Sequence, residues 1–409
     1  MMSRKNILRM VSLLIFINSF ASKSYSQKEQ IATNQIDSSL IGQKDLIDIF
    51  DQIFKSKKKK NKLPEITKEK KYHFSVLPVI GYTLQSGLVA NVSGNVIFKN
   101  YKNDSTNTSA IIQGISYTEK NQLEFYVLSD IWSKNNMWNV NTDLRYYIYP
   151  QDTYGLGGFS KESDAQLVNF SFLRFYNTVY KKATKNLYLG LGYMLDKRWN
   201  ITQDHQTGLS DYEKYGFYRN SSSSGISLNV LSDTRDNPIN SSKGVYSNII
   251  YRYNTTMLGS DENWSSLTLD FRKYYKIDKK NTILALWNYN WLTLSGKAPY
   301  LDLPSTAWEP NNNLGRGYIQ SRFRSPNLVY VESELRFNIT KNELLGAVIF
   351  ANAQSFTEWS SKRFERIIPG FGGGLRIKFN KESNTNIAID YGFGLDGSGG
   401  VFINLGEVF

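Results

Sequence analysis

Cysteine is absent from all 409 residues. That excludes a disulfide framework, a thiol nucleophile and any cysteine-bound metal. Histidine is scarce too. His73 and His205 are the only imidazoles, and neither stands beside a convincing serine nucleophile and acid. Asp204-His205 falls in a long loop and reads as a solvated pair, and no zinc-ligand spacing occurs. The sequence therefore predicts no enzyme, no metal and no cofactor. Beyond the first residues there is also no apolar run long enough for a membrane-spanning helix.

The one apolar run lies at the start. Arg4, Lys5 and Arg9 precede or enter the stretch from Ile7 to Ile17, and Ser24-Tyr25-Ser26 supplies small residues before Gln27. This reads as a secretory signal peptide over residues 1–26, too short to span a bilayer comfortably. No cysteine follows the site, so no lipoprotein anchor is expected. The mature chain is then either soluble outside the cytoplasm or a β-barrel. Formal charge is +13, and part of it is the run Lys57-Lys58-Lys59-Lys60. Such a run is usually a solvated linker, with attraction to anionic lipid head groups as the sharper reading. Nucleic acid is not expected as a partner of an exported chain. Aromatics reach 14% while mean hydropathy is −0.41. That combination suits alternating lipid-facing and lumen-facing strands, and equally a soluble all-β protein.

Residues 27–72 are polar apart from one amphipathic stretch. Leu46, Ile49, Phe50, Ile53 and Phe54 recur at helical spacing between Gln43 and Lys55. A lone helix this short is marginal in water, so it is expected to pack on something. Pro64 and its charged neighbours read as a linker.

From His73 the period changes to two, and strands are predicted near 73–83, 87–99, 108–119, 122–132, 136–149, 166–179, 186–199, 221–232, 244–255, 263–277, 281–294, 327–340, 344–355, 367–379, 385–395 and 400–409. That is about sixteen, an even number, each close to the roughly 9–11 residues a tilted strand needs to cross hydrocarbon. Short polar turns (Asp278-Lys279-Lys280, Lys341-Asn342, 380–384) contrast with long segments at 150–165, 200–220, 295–326 and 356–366, the outer-membrane pattern. In 327–340 one face carries Val329, Val331, Leu335, Phe337 and Ile339, and the other Tyr330, Glu332, Glu334, Arg336 and Asn338. Ile283, Trp287, Tyr289 and Trp291 share a face of 281–294. A sandwich would also give one apolar face per strand, so the strand count, the loop alternation and the C-terminal strand carry the choice. That last strand places Val401, Ile403, Leu405 and Phe409 on one face, with Glu407 an exception near the membrane edge. Residues Leu405, Gly406 and Phe409 are read as an insertion signal.

The long loop 295–326 contains Leu314-Gly315-Arg316-Gly317-Tyr318. Glycine lets the backbone approach a wall closely, and arginine can clamp a carboxylate through two hydrogen bonds. The following strand carries Glu332 and Glu334 two residues apart, hence on one face. This arrangement resembles the BamA/TamA superfamily of outer-membrane barrels, whose sixth extracellular loop tucks an Arg-Gly-Phe/Tyr tip into the lumen. Three further stretches are similar to that family: residues 76–94, Asp233-Thr234-Arg235-Asp236-Asn237-Pro238 with Lys243-Gly244, and the glycine-rich Gly370–Arg376 with Asp390-Tyr391-Gly392. Together they cover most of residues 76–409. Gly315 stands where the family has an aliphatic residue, and Ser241 where it usually has proline.

The resemblance implies an all-β transmembrane antiparallel barrel over residues 73–409 with an inward-folded loop. The short helix and linker read over 27–72 would precede it on the periplasmic side, the helix either binding a partner or capping the barrel mouth. It implies that Arg316, Gly317 and Tyr318 form the loop tip, and that Glu334 receives the arginine with Glu332 in reserve. It gives Asn352 as an uncharged second acceptor where the family has aspartate. Asp233, Arg235, Asp236 and Gly244 would build a periplasmic turn. The implied function is outer-membrane protein assembly or protein translocation, in the outer membrane and after insertion by the barrel assembly machinery. The implied partners are outer-membrane lipid, unfolded outer-membrane or secreted proteins, and a periplasmic partner at residues 43–55. The alternative is a passive pore or solute channel. Residues 27–72 are too short for one POTRA domain, the periplasmic module of that family.

Overall fold

A computed structural model describes residues 42–54, 72–98, 106–203, 211–215, 220–278, 281–309 and 313–409. The expected signal peptide, the lysine run, Pro64 and His205 lie outside these residues. The described chain is one antiparallel sheet of 17 strands. They are β1 (Tyr72–Thr83), β2 (Gly87–Phe98), β3 (Ser109–Thr118), β4 (Leu123–Trp132), β5 (Trp138–Ile148), β6 (Gln151–Thr153), β7 (Gln166–Lys182), β8 (Leu187–Gln203) and β9 (Ser221–Asp233) in the first half. The second half holds β10 (Gly244–Asn254), β11 (Trp264–Lys276), β12 (Ile283–Gly296), β13 (Asn327–Asn338), β14 (Leu345–Phe356), β15 (Ile368–Asn380), β16 (Thr385–Phe393) and β17 (Gly399–Leu405).

Sixteen of these were expected; the extra one, β6, has three residues. Pro150 has no N–H to give a ladder, so the pairing with β7, which reaches Tyr149 through its N–H to Phe170 O at 2.8 Å, is interrupted there and resumes at Gln151. Otherwise each strand pairs with its neighbour in sequence, as hairpins of a meander require. The sheet is not closed. β1 and β17 come alongside each other, yet among the described residues β1 is laddered only to β2, and β17 only to β16. Leu84, just past β1, occupies the space beside Gly400, where a Cβ would lie 2.1 Å from its Cδ2.

The faces are inverted relative to a soluble sandwich. Val331, Ile349, Phe371, Leu375 and Leu405 are exposed on the outer face, whereas Glu332, Glu334, Arg336, Arg376 and Asp390 are buried. An apolar exterior around an ionic interior fits a sheet whose outer solvent is lipid. The aromatic face of β12, with Trp287 and Tyr289, points inward. It packs there with Tyr330, Tyr318, Phe323 and Phe356. A second interior cluster, including Phe172, Ile201, Tyr215, Tyr300 and Trp308, closes the end that carries the long loops.

The helix α1 (Leu46–Phe54) sits at the opposite end. Asp45 caps it reciprocally: the Asp48 N–H donates to Asp45 Oδ1 at 2.8 Å, and the Asp45 N–H donates to Asp48 Oδ2 at 3.1 Å. The helix docks on two short turns. The Lys44 N–H donates to Asn342 O at 2.9 Å, the Lys381 N–H to Asp45 Oδ2 at 2.9 Å, and Lys381 Nζ pairs with Asp48 at 2.8 Å. The hydrogen bond to Asp48 holds the pKa of the Lys381 ammonium above its ordinary value.

The expected last strand, 400–409, is corrected at its end. Strand β17 stops at Leu405, and Gly406, at φ +99°, turns the chain into the interior. Leu405 is 55% exposed and Phe409 only 6%, so these two do not share a face. Phe409 packs on Trp287 and Tyr274 with ring centroids 5.1 and 6.4 Å away, and Arg336 donates to its main-chain oxygen at 2.9 Å. Glu407 is not at a membrane edge; it pairs inside with Arg376 at 2.7 Å. The physical reason is that four residues released from the ladder can bury one phenyl ring and one carboxylate among matching interior groups.

Candidate functional site: a strap across the barrel interior

The loop between β12 and β13 crosses the interior as a two-limbed strap. Its limbs hold each other: the Ala307 N–H donates to Leu314 O at 2.9 Å, the Thr306 N–H to Phe323 O at 2.9 Å, and the Ser321 N–H to Thr306 O at 2.8 Å. Leu314, Arg316, Tyr318 and Phe323 are buried.

At the tip, Arg316 is 1% exposed. One nitrogen, Nη1, donates to Asp390 Oδ2 at 2.6 Å. The other, Nη2, donates to both Glu332 and Glu334. Its guanidinium lies over the Phe350 ring, 3.7 Å from the centroid. The carboxylates are shared onward. Arg336 pairs with Glu334 at 2.5 Å, Arg376 with Asp390 at 2.5 Å, and Tyr330 donates its hydroxyl to Glu332. Three guanidinium groups thus serve four carboxylates, Glu407 being the fourth. Such buried charges are tolerable only when nearly every one is bridged.

Glycine admits the tip. Gly317 has φ +109°, and a Cβ there would lie 2.6 Å from Phe393 O. On the facing strand, a Cβ at Gly392 would lie 2.6 Å from Gly317 N. The glycine stretches of β15 and β16 therefore leave room for a backbone pressed against backbone. The Tyr318 hydroxyl donates to Pro369 O at 2.5 Å and accepts from the Leu395 N–H at 2.8 Å. Ser398 Oγ donates to Gly317 O at 2.9 Å.

The structure brings Arg316, Glu332 and Glu334 together, with Glu332 engaged as fully as Glu334. The expectation for Asn352 is corrected. Its amide does not accept from the guanidinium; Nδ2 donates to Arg316 O at 2.9 Å. It lies beside the tip's main chain, where a donor is what the geometry lacks. Asp390, which sequence reasoning did not name as an acceptor, takes the second arginine nitrogen. The signal was present in the alternation of β16, which puts Asn386, Ala388 and Asp390 on the buried face.

A second anchorage was missed entirely. At the base of the strap, Asp302 pairs with Arg198 of β8 and accepts from Ser223 Oγ at 2.5 Å. Glu309 pairs with Arg174 of β7 and lies 3.8 Å from Arg145 of β5. Arg174 and Arg252 also share Asp196, at 2.9 and 2.6 Å. Further along, Gln320 accepts from the Tyr149 hydroxyl at 2.8 Å. The strap is therefore tied to both walls, through Arg316 on one and through Asp302 and Glu309 on the other.

The turn between β9 and β10 gathers its own motif. Asp233 pairs with Arg235 at 2.8 Å, whose guanidinium lies 4.5 Å from the Tyr246 ring. Asp236 accepts from the Ser242 and Lys243 N–H groups at 2.9 and 3.2 Å. Burial pushes its carboxyl up, but the bonds from Ser242 and Lys243 outweigh this and hold it below the ordinary value. Gly244, at φ +107°, would place a Cβ 2.3 Å from Thr234 O. The turn reaches over the barrel mouth. Asn237 Nδ2 donates to Ser383 O at 3.2 Å, and Asn384 Nδ2 to Asn240 O at 3.3 Å. A cavity of about 410 Å³ lies there, lined by Asn237, Asn240, Arg336, Lys378 and Glu407 among others.

A family model described as the Omp85 superfamily domain matches residues 114–398. Among solved structures, BamA from Haemophilus ducreyi lacking POTRA domains 1-3 is similar at 15% identity and a TM-score of 0.53, covering 81% of this chain and 68% of that one. CdiB from Acinetobacter baumannii is similar at 13% identity and 0.54, covering 83% and 60%. CdiB from Escherichia coli is similar at 10% identity and 0.57, covering 83% and 63%. This chain thus spans less than two thirds of either CdiB chain. No curated protein sequence matches. At such identities the likeness is one of fold.

Proposed function

This chain belongs to the Omp85 superfamily, and from that premise we propose that it acts in the outer membrane in the insertion of other barrel proteins or the passage of secreted ones. The observation that carries the reading is the unladdered seam between β1 and β17, beside an interior strap latched by Arg316. Two strand edges with unused N–H and C=O groups are templates for an incoming strand. The strap keeps the interior filled while the seam is at rest. Signal peptide 1–26, helix-and-linker 27–72 and barrel 73–409 are the proposed segments. Unfolded protein is the proposed substrate, and the face around α1 the proposed site for a periplasmic partner.

The passive pore is the competing reading. Burial of Leu314, Tyr318 and Phe323 in the barrel interior speaks against it, because an open channel needs a continuous wet path. Depleting the protein and comparing outer-membrane proteomes separates the two. Loss of a set of barrel or secreted proteins is expected. An unchanged proteome with altered solute uptake would favour the pore.

A further inference from the structure

At the rim that carries the short turns, two lysines stand on the outer, lipid-facing side of the sheet. Lys181 lies in a row of directly paired residues, Trp138 of β5, Lys181 of β7 and Leu189 of β8. Directly paired residues share a face. Trp138 is 45% exposed and Leu189 53%, so the row faces outward. One step deeper on the same face, Val179 pairs with Leu191, and both are exposed. Lys181 is therefore roughly 7 Å along the strand from an apolar surface that needs hydrocarbon. Its Nζ lies 5.3 Å from the centre of the Trp138 ring.

Lys273 of β11 repeats the arrangement. It sits on the outer face between the exposed Phe271 and Tyr275, with Nζ 5.3 Å from the Tyr275 ring. Among the described residues neither lysine has an ion pair. No aspartate or glutamate occurs from Ile131 to Thr142 or from Leu167 to Leu195, while Lys182 and Lys185 add charge beside Lys181.

A cation on a lipid-facing surface, level with exposed tryptophan and tyrosine, is placed where phospholipid phosphates lie. We propose that Lys181 and Lys273 form two headgroup sites for anionic phospholipid, with Trp138 and Tyr275 as the flat walls beside the phosphate. The proposal rests on the outer-membrane reading, which sets this rim in the periplasmic leaflet, and goes beyond it by naming a lipid class and the residues that select it. Anchoring the rim of β5, β7 and β11 to charged lipid would leave the β1–β17 seam as the less tethered side of the barrel.

The test uses the full chain folded into phosphatidylcholine vesicles. Tryptophan fluorescence is titrated with brominated phosphatidylglycerol or brominated phosphatidylcholine. The anionic quencher is expected to act at a mole fraction roughly fivefold lower, about what one lysine near an anionic surface supplies. The preference should vanish in Lys181→Gln/Lys273→Gln and shrink in high salt. Gel mobility before and after heating checks that the variant is folded. Equal quenching by both lipids would overturn the proposal and point to an acidic protein at this rim. A preference that survives in the folded double variant would also overturn it. Absence of quenching by either lipid would overturn the membrane reading itself, which keeps the two failures apart.

Discussion

At the residue scale, Arg316 is one cation set against Glu332, Glu334 and Asp390, and their other partners decide what its loss does. Glu334 would keep Arg336 and Asp390 would keep Arg376, but Glu332 would be left with the Tyr330 hydroxyl alone. Breaking a buried pair costs roughly 3–5 kcal/mol, and less where water enters the interior. Arg316→Ala and Glu334→Ala should each lower the unfolding midpoint and expose the strap to protease. The double variant should be no worse than the worse single, because the contacts are shared. Glu332→Gln should recover part of the Arg316→Ala loss by removing the stranded charge. Asn352→Asp should weaken the latch, since an aspartate cannot donate to Arg316 O and would face it with like charge. Strictly additive effects, or a more stable Asn352→Asp protein, would sink this account. The Gly-Arg-Gly tip and two acids on one strand face are local patterns, but the sequence alone did not say which face turns inward; the pairing of Arg316 with Glu334 came from the family resemblance. Asp302 and Glu309 were not, because a loop crossing an interior has no period to read.

At the element scale, α1 and the turn beyond Leu405 meet the same end of the barrel in different ways. The helix is held by the Lys44 N–H to Asn342 O, by the Lys381 N–H to the Asp45 carboxylate and by one partly exposed ion pair, Lys381 to Asp48. An exposed pair of this kind contributes about 0.2–1 kcal/mol. Deleting residues 27–70 should therefore leave a barrel that still shifts mobility on heating, with its unfolding midpoint little changed. Failure of the truncated chain to fold would show that α1 belongs to the barrel's structure. That the helix packs, with the barrel mouth as one address, was an expectation from its apolar face; the turns at Asn342 and Lys381 that receive it were not legible, since helical periodicity names no partner residues. The inward turn at Gly406 was misread for a related reason. Alternation continued through Phe409, but a period of two holds only while the ladder does. Any recognition of Leu405, Gly406 and Phe409 as an insertion signal would act on the chain before it folds.

At the scale of the whole molecule, the meander of hairpins followed from alternation and turn chemistry, and strand ends fell close to where the pattern placed them. Closure was not legible in this way. Whether β1 and β17 ladder depends on the curl of the entire sheet and on where β17 ends, and neither is a property of a local stretch. The seam is also where the functional reading stands or falls. Leu84→Cys combined with Gly400→Cys places two thiols where the Leu84 side chain now rests on Gly400, so oxidation should pin β1 to β17. The reduced double variant, in vesicles offered an unfolded outer-membrane barrel, should speed that substrate's conversion to its heat-modifiable form, and oxidation should abolish the acceleration reversibly. An oxidised barrel that works as well as the reduced one would contradict the account.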